Sequence, residues 1–275
     1  MPKLSSRLFR RVVIAVIFFT VFTFFGYGTR RLTTTTPTCT DNIKNGEEEG
    51  VDCGLLACNK YCEPDLEPPT IKSTQLIKAG EGDYDFIAEI VNPHQDFGAS
   101  EVDYELTLFN GGDAELYKEQ GIFYVLPGQT KHLILTHLTT EKNVTKIEFK
   151  ILSATWQKID SLEGMNLILK AQKYINLPTG GTALDATINN DSDFDFVAVD
   201  IDVVLYNSRG DIIAVNRSDI NTFLARTERA FRVIWPFNIN GKVASIEVFP
   251  STNLFENSNF IKRYGSEVQK FQTYK

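Results

Sequence analysis

Apolar positions divide the chain into three regimes. From Val12 to Thr29 no residue carries a charge. Beyond residue 70 apolar residues alternate with polar ones, as at Val102, Tyr104, Leu106 and Leu108, and again at Val199, Ile201, Val203 and Leu205. Between them lies an aperiodic segment, Cys39 to Cys62, which holds all four cysteines. A helix rises about 1.5 Å per residue, so the uncharged run reaches roughly 27 Å. That is close to a hydrocarbon core of about 30 Å, and it predicts a single transmembrane helix over residues 12–29. A period of two puts successive side chains on opposite faces, which predicts strands with one apolar and one wet face. Such strands make antiparallel sheets that cover a core on one side.

The alternating region is a repeat. FIAEIVNPHQDFGASEVDYELTLFNGGDAEL from Phe86 matches ALDATINNDSDFDFVAVDIDVVLYNSRGDII from Ala183. In each, a strand ends in Asn (Asn92, then Asn189 or Asn190), a loop follows, and a long strand ends in an aromatic plus Asn, Phe109-Asn110 and Tyr206-Asn207. YVLPGQTKHLILTHL from Tyr124 then matches TFLARTERAFRVIWPF from Thr222, and KIEFKI matches SIEVFP. Asn110-Gly111-Gly112 and Asn207-Ser208-Arg209-Gly210 supply the positive-φ positions of hairpin turns. FLARTERAF reads as turn plus strand, because its counterpart has Pro127-Gly128 there. WQKIDSLEG is the remaining short helical candidate. Two copies of this length predict an all-β body of tandem immunoglobulin-like β-sandwiches, over residues 70–157 and 165–250.

YELTLFN, VVLYNSRGDII and YVLPGQTKHLIL resemble the small bacterial FxLYD-type domains. Those are immunoglobulin-like sandwiches of envelope and secreted proteins, with an aromatic-Asp strand end and a later Pro-Gly turn. Asn110 and Asn207 stand where that family often has Asp, and Ala225-Arg226 replaces the second Pro-Gly. The resemblance implies a fold and leaves the chemistry open.

Charge sets the expected topology. Lys3, Arg7, Arg10 and Arg11 precede the apolar run, and Arg30 and Arg31 follow it. The excess predicts a cytoplasmic N-terminus (residues 1–11), with the rest outside. The chain then reads as a single-pass membrane protein whose lipid partner contacts residues 12–29. Its bulky end, TFFGYG, favours retention over cleavage. The chain carries −7 overall; without those six basic residues, 22 Lys and Arg face 35 Asp and Glu, or −13. An acidic exterior excludes a nucleic-acid footprint. Residues 30–38, with Thr33 to Thr38 reading TTTTPT, are an expected spacer. Residues 251–275 are an expected C-terminal tail, loose or interacting, whose Phe255, Phe260, Tyr264 and Phe271 are available for docking onto the second domain.

The cysteines are spaced C-x13-C-x4-C-x3-C. This is neither a paired C-x2-C zinc pattern nor a thioredoxin C-x-x-C. Outside the membrane Cys39, Cys53, Cys58 and Cys62 are expected to form two disulfides, with three connectivities open. The segment also resembles a repeated bacterial surface motif, C-x-D-G-x-x-N-G-x-E-x-G-x-D-C-G-G, with Asn42 for the first glycine and Leu55 for the last. Hard cations seek clustered oxygens, so Asp41, Glu47 and Asp52 here, and Asp191, Asp193 and Asp195 in the second repeat, are the calcium candidates. No other cofactor is expected.

Catalytic constellations are sparse. The only histidines are His94, His132 and His137, and no G-x-S-x-G elbow occurs. Carboxylates are paired at Asp83/Asp85 and Asp200/Asp202, and in DSDFDFVAVDID the acidic residues alternate with Phe194, Phe196, Val199 and Ile201, which predicts a solvated strand face. Phe97, Phe194 and Phe196 are expected to cap the cores. Asn143, Asn190 and Asn216 head N-x-S/T acceptor patterns. The sequence therefore reads as a non-catalytic, membrane-anchored surface or envelope protein that binds an envelope protein or a glycan. An accessory subunit of a secretion, pilus or cell-wall-synthesis complex is the alternative, and a glycan or peptidoglycan hydrolase a further one.

Overall fold

The computed structural model describes residues 6–33, 38–60, 62, 66–178 and 180–265. It divides into two units, Met1–Asp65 and Leu66–Lys275.

In the first unit, α1 spans Ser6–Thr33. Its apolar window is Phe9–Gly26, with mean hydropathy 1.9 and no side chain buried. A helix apolar all round needs an apolar surrounding on every side. It runs past both ends of the expected span, because the flanking arginines are good helix formers. The expected spacer therefore begins as helix through Thr33, and residues 34–37 lie outside the described residues. A one-turn helix, α2 (Leu55–Cys58), and two disulfides, Cys39–Cys58 and Cys53–Cys62, hold the cysteine-rich module. Gly50 belongs there because a Cβ would lie 2.6 Å from Cys53 Sγ and 2.8 Å from Cys62 Sγ.

The second unit holds twelve strands: β1 (Thr70–Lys78), β2 (Asp83–Val91), β3 (Phe97–Phe109), β4 (Glu115–Val125), β5 (Thr130–Thr139), β6 (Lys146–Lys158), β7 (Leu167–Asn176), β8 (Thr182–Asn190), β9 (Phe196–Tyr206), β10 (Ile212–Phe223), β11 (Glu228–Trp235) and β12 (Ser245–Ser251). They form four antiparallel three-stranded sheets, β1-β2-β5 with β4-β3-β6, and β7-β8-β11 with β10-β9-β12. The second half repeats the strand order of the first. The duplication legible in the sequence is thus a duplication of topology.

Equivalent asparagines close each copy. Asn92 Nδ2 donates to the carbonyls of Phe97 (2.7 Å) and Leu126 (2.9 Å), and its Oδ1 accepts from His94 N. In the second copy Asn190, not Asn189, does this. Its Nδ2 donates to the carbonyls of Phe194, Phe223 and Leu224, and its Oδ1 accepts from Ser192. Asn110 and Asn207 likewise each accept two turn amides. The left-handed residue of the next turn is Gly128 (φ 62°) in the first copy and Arg226 (φ 58°) in the second. The Pro-Gly is lost there, but its backbone conformation is kept.

One core lies inside each sandwich. The first is built from Phe86, Ile90, Val102, Leu106, Leu108 and Leu138. The second includes Leu184, Phe196, Ile201, Val203, Phe223 and Trp235. Trp235 is fully buried, and its indole N–H donates to the Val215 carbonyl at 2.9 Å. Phe194 and Phe196 lie in that core, whereas Phe97 is half-buried.

One expectation is corrected, and the docking of the C-terminal segment onto the second sandwich is borne out where that segment is described. Trp156–Lys158 continue β6, so WQKIDSLEG is not a helix. Its alternating Ala154 and Trp156 pack on the first core. The segment after β12 is ordered where described. A 3-10 turn at Leu254–Glu256 and α3 (Ser258–Tyr264) are capped by Asn253 and Asn257, and they bury Leu254 and Phe260 against the second core. Phe260 meets Phe194 with ring centroids 5.3 Å apart. Phe271 lies outside the described residues.

Candidate functional site

The sheets β1-β2-β5 and β10-β9-β12 face each other through their outer sides. Ile77, Ile87 and Ile134 of the first sandwich meet Val204 and Val215 of the second. The local sequence explains this. Phe86-Ile87-Ala88, Leu133-Ile134-Leu135 and Val203-Val204-Leu205 break the alternation, as strands buried on both faces do. Ile87 and Ile134 are cross-strand partners, as are Val204 and Val215. At the corresponding positions of the other two sheets, Asp185 pairs with Arg232 and Thr107 with Lys118. Arg232 grips Asp185 with two bonds, at 2.5 and 2.7 Å.

At one end of this seam the contacts turn polar. The Tyr124 hydroxyl lies 3.0 Å from Asp200 Oδ2 and 3.0 Å from Ser251 Oγ. Lys131, which is 6% exposed, sends Nζ to within 3.4 Å of Ser251 Oγ and 3.8 Å of the Tyr124 ring centroid. Asp202, also 6% exposed, has no hydrogen-bond donor to its carboxylate among the described residues. Arg217 reaches Asp200 at 3.6 Å. His132 stacks on Phe249 across the seam at 4.2 Å, with Nδ1 buried and unpartnered.

Burial dominates the electrostatics. It pushes the Asp202 carboxyl up to about 6, against the attraction of Lys131 and Arg217. The same loss of water lowers Lys131, against the pull of Asp202 and Asp200, and it lowers His132. Both members of the Lys131/Asp202 pair shift toward neutrality, so desolvation outweighs their mutual attraction. Tyr124 is raised by burial and by the adjacent Asp200 carboxylate.

This corrects the expectation of a solvated acidic face at Asp202, whereas Asp193 and Asp195 are exposed as expected. Asp202 is buried because a second sandwich covers the outer face of β9. Asp85, 3% exposed, is buried as well. Its carboxylate accepts the backbone N–H of His137 at 3.2 Å, where β5 bulges and His137 takes φ 63°. Burial raises Asp85 to about 6.

A chamber of about 190 Å³ is lined by Tyr124, Lys131, His132, Asp200, Asp202 and Arg217 together with aliphatic neighbours. It shares Ile122, Phe123, Tyr124 and Asp200 with a cleft of about 650 Å³. The cleft walls come from β3, β4 and β6, from the start of β9, and from residues 252–259. Glu101, Asp195, Asp200 and Glu256 line it, and no Lys or Arg does. Ile122 (61% exposed) and Val197 (84%) stand open in it.

The sequence-derived candidates lie elsewhere or are already engaged. Arg226 binds Asp191 at 2.6 Å and Asp193 at 2.8 Å, and this hydrogen bonding holds Asp193 below the usual carboxylate range. Asp195 Oδ1 accepts Ala225 N at 2.7 Å. The cation these loop carboxylates face is therefore a guanidinium, on the residue that replaced the turn glycine. In the cysteine-rich module Asp52 accepts the amides of Asp41 and Asn42, Asp41 accepts Ile43 N and Asn45 Nδ2, and Glu47 is exposed. Cys39, Glu48 and Cys58 come together, but the two sulfurs are bonded to each other and are not thiolates. His94 contacts the Glu67 carbonyl and the edge of Trp156. His137 lies 3.2 Å from Asp83. Of the acceptor patterns, Asn190 is fully buried and bonded, Asn216 donates to the Ile234 carbonyl, and Asn143 is exposed.

Sequence reasoning missed Tyr124, Lys131 and Ser251. The available signal was the unbroken apolar runs beside them, which mark a covered outer face. It also missed Ile122 and Val197, for which alternation gives no signal, since an apolar residue on a strand is assigned to a core by default.

No protein-family model matches the chain, and no curated protein matches it. Among solved structures, it is similar to one described as "Crystal structure of calcium binding domain CBD12 of CALX1.1", at 9% identity, covering 66% of this chain and 80% of that chain, with a TM-score of 0.19. At that score the likeness carries no argument. The chain is, on its own geometry, an all-β body of antiparallel sheets with one apolar N-terminal helix and two disulfides.

Proposed function

We propose that this is a membrane-anchored, non-catalytic binding protein whose two-sandwich body is held outside the cytoplasm as one stiff unit. The observation that carries the reading is the coupling of an all-apolar helix, none of whose window is buried, to sandwiches joined through a buried seam. An apolar helix of this length suits a bilayer. The two disulfides suit an oxidising compartment, and the basic excess before the helix suits a cytoplasmic N-terminus. Asp85, His94, His137 and Asp200 have structural partners in a strand bulge, a loop and the seam, which supports binding over catalysis. A rigid scaffold that presents a cleft between domains is a common site of recognition.

Membrane flotation of the full chain, followed by alkaline extraction and protease protection, tests the reading. The expected result is retention in the extracted membrane, with the body cleaved only by protease on the outer side. Release by alkali, or cleavage of the body from the cytoplasmic side, would overturn it.

A further inference from the structure

We infer that the cleft between the sandwiches docks an extended cationic peptide segment, one that carries lysine or arginine beside aliphatic side chains. This deepens the binding reading above by naming the chemistry of the partner. It does not depend on the membrane orientation.

Two observations converge. The first is charge. Glu101, Asp195 and Glu256 line the cleft from three separate segments, and none has an ion-pair partner among the described residues. Exposed carboxylates without an ion pair occur elsewhere too, at Asp96, Glu115 and Glu228 among the described residues, but the cleft gathers several in one concave lining that holds no Lys or Arg. Carboxylates on low-dielectric walls focus their field.

The second is the exposed apolar pair. Ile122 and Val197 come from different sandwiches and open into the same cleft. A lysine or arginine carries an alkyl stem behind its charge. Such a side chain lays its stem on Ile122 and Val197 and brings its head to the surrounding carboxylates. A neutral sugar would satisfy neither the charge nor the aliphatic contact.

The test uses the full chain in detergent micelles. A fluorescent peptide alternating Lys with Ile is titrated by anisotropy beside a peptide alternating Glu with Ile. A triple variant, E101Q/D195N/E256Q, keeps the acceptors used by Ala225 and Asn253. A control variant, D103N, removes a carboxylate that does not line the cleft. The lysine peptide is expected to bind the parent chain and D103N, to weaken with added salt, and to lose roughly tenfold or more in the triple variant, about 1.4 kcal/mol. Unchanged thermal melting of the triple variant separates lost binding from lost folding. Equal binding of the glutamate peptide, an unaltered affinity in the folded triple variant, or preference for a neutral glycan independent of these carboxylates would each overturn the proposal. Failure of the flotation experiment would leave these outcomes unaffected, so the two readings fail separately.

Discussion

The hydroxyl of Tyr124, on the first sandwich, donates to the carboxylate of Asp200, on the second, at 3.0 Å, and Ser251 Oγ lies at the same distance. One phenol thus ties the end of β4 to β9 and β12. Hydrogen bonds to charged groups are worth about 1.5–3 kcal/mol net. Tyr124→Phe is therefore expected to destabilise the body by about that amount in denaturant unfolding. In a D200N background the cost should shrink, because the two share one interaction. Equal costs in both backgrounds would show that the contact does not couple the sandwiches.

The covered and uncovered faces offer a cleaner separation of the two halves. Ile87 and Ile134 occupy the cross-strand positions that carry Asp185 and Arg232 in the second copy. The double substitution I87D/I134R places on the seam the ion pair that the other copy already carries on its open face. Each sandwich keeps its own core, since neither side chain belongs to it. Burying that pair in an apolar seam costs several kcal/mol. Calorimetry of the variant is expected to show two transitions where the parent shows one, with a larger radius of gyration in solution scattering. A single transition at the parent temperature would mean that the seam contributes little.

These paired positions also explain what was legible in the sequence. Alternation and turn residues carried the strands, the duplication and the sandwiches, because each depends on local periodicity. The pairing of one sandwich's first sheet with the other's second sheet depends on which outer face is apolar. That information resides in single residues such as Ile134, whose counterpart is Arg232, and it is lost in a search for period two. For the same reason Asp202 read as solvated. The cleft was less legible still. Its walls come from segments far apart in the chain, Glu101, Asp195 and Glu256 among them, and only packing brings them together.

The strand-end asparagines make a third prediction. Asn190 holds the Phe194, Phe223 and Leu224 carbonyls with one buried amide, and Asn92 holds Phe97 and Leu126 in the same way. Alanine at either position leaves those carbonyls without that donor, a penalty of about 1–3 kcal/mol per buried group. Asn190→Ala is expected to be the more damaging, since it strips three carbonyls rather than two. Melting temperatures of the two variants measured together check the order.

The cysteine-rich module should depend on its bonds. Its disulfides close loops with sequence separations of 19 and 9 residues. Closing loops of this size is worth about 3 kcal/mol each in the chain-entropy model. Such a segment has too small a core to compensate. Reduction should therefore unfold residues 39–62, read as fast amide exchange there, while exchange in the body stays slow. Mapping of the oxidised peptides should recover Cys39 with Cys58 and Cys53 with Cys62.

Acid should strengthen the body before it weakens it. Asp85 and Asp202 titrate near 6 in the folded chain, above the ordinary carboxyl value of 3.8. The folded state therefore holds their protons more tightly than the unfolded state does. By linkage, stability rises as pH falls through about 6 and levels off near the unfolded value. A shift of about two units corresponds to at most about 3 kcal/mol for Asp202. Asp185 and Asp193 act in the opposite sense, because their arginine partners hold them below the usual range. Their stabilisation is lost only when pH drops through those lowered values. Burial lowers His132, so that group loses stability as pH falls through its unfolded value and opposes the two carboxyls; with two raised carboxyls against one lowered imidazole, the melting temperature is expected to climb from pH 7.5 to about pH 5 and to fall below about pH 4. Asp202→Asn mimics the protonated carboxyl, so it should raise stability at neutral pH and flatten the climb. A D202N variant with the parent's full pH slope would assign the effect to Asp85 alone, and a melting temperature that fell steadily from pH 7.5 in a His132→Gln background would contradict the buried state of both carboxyls.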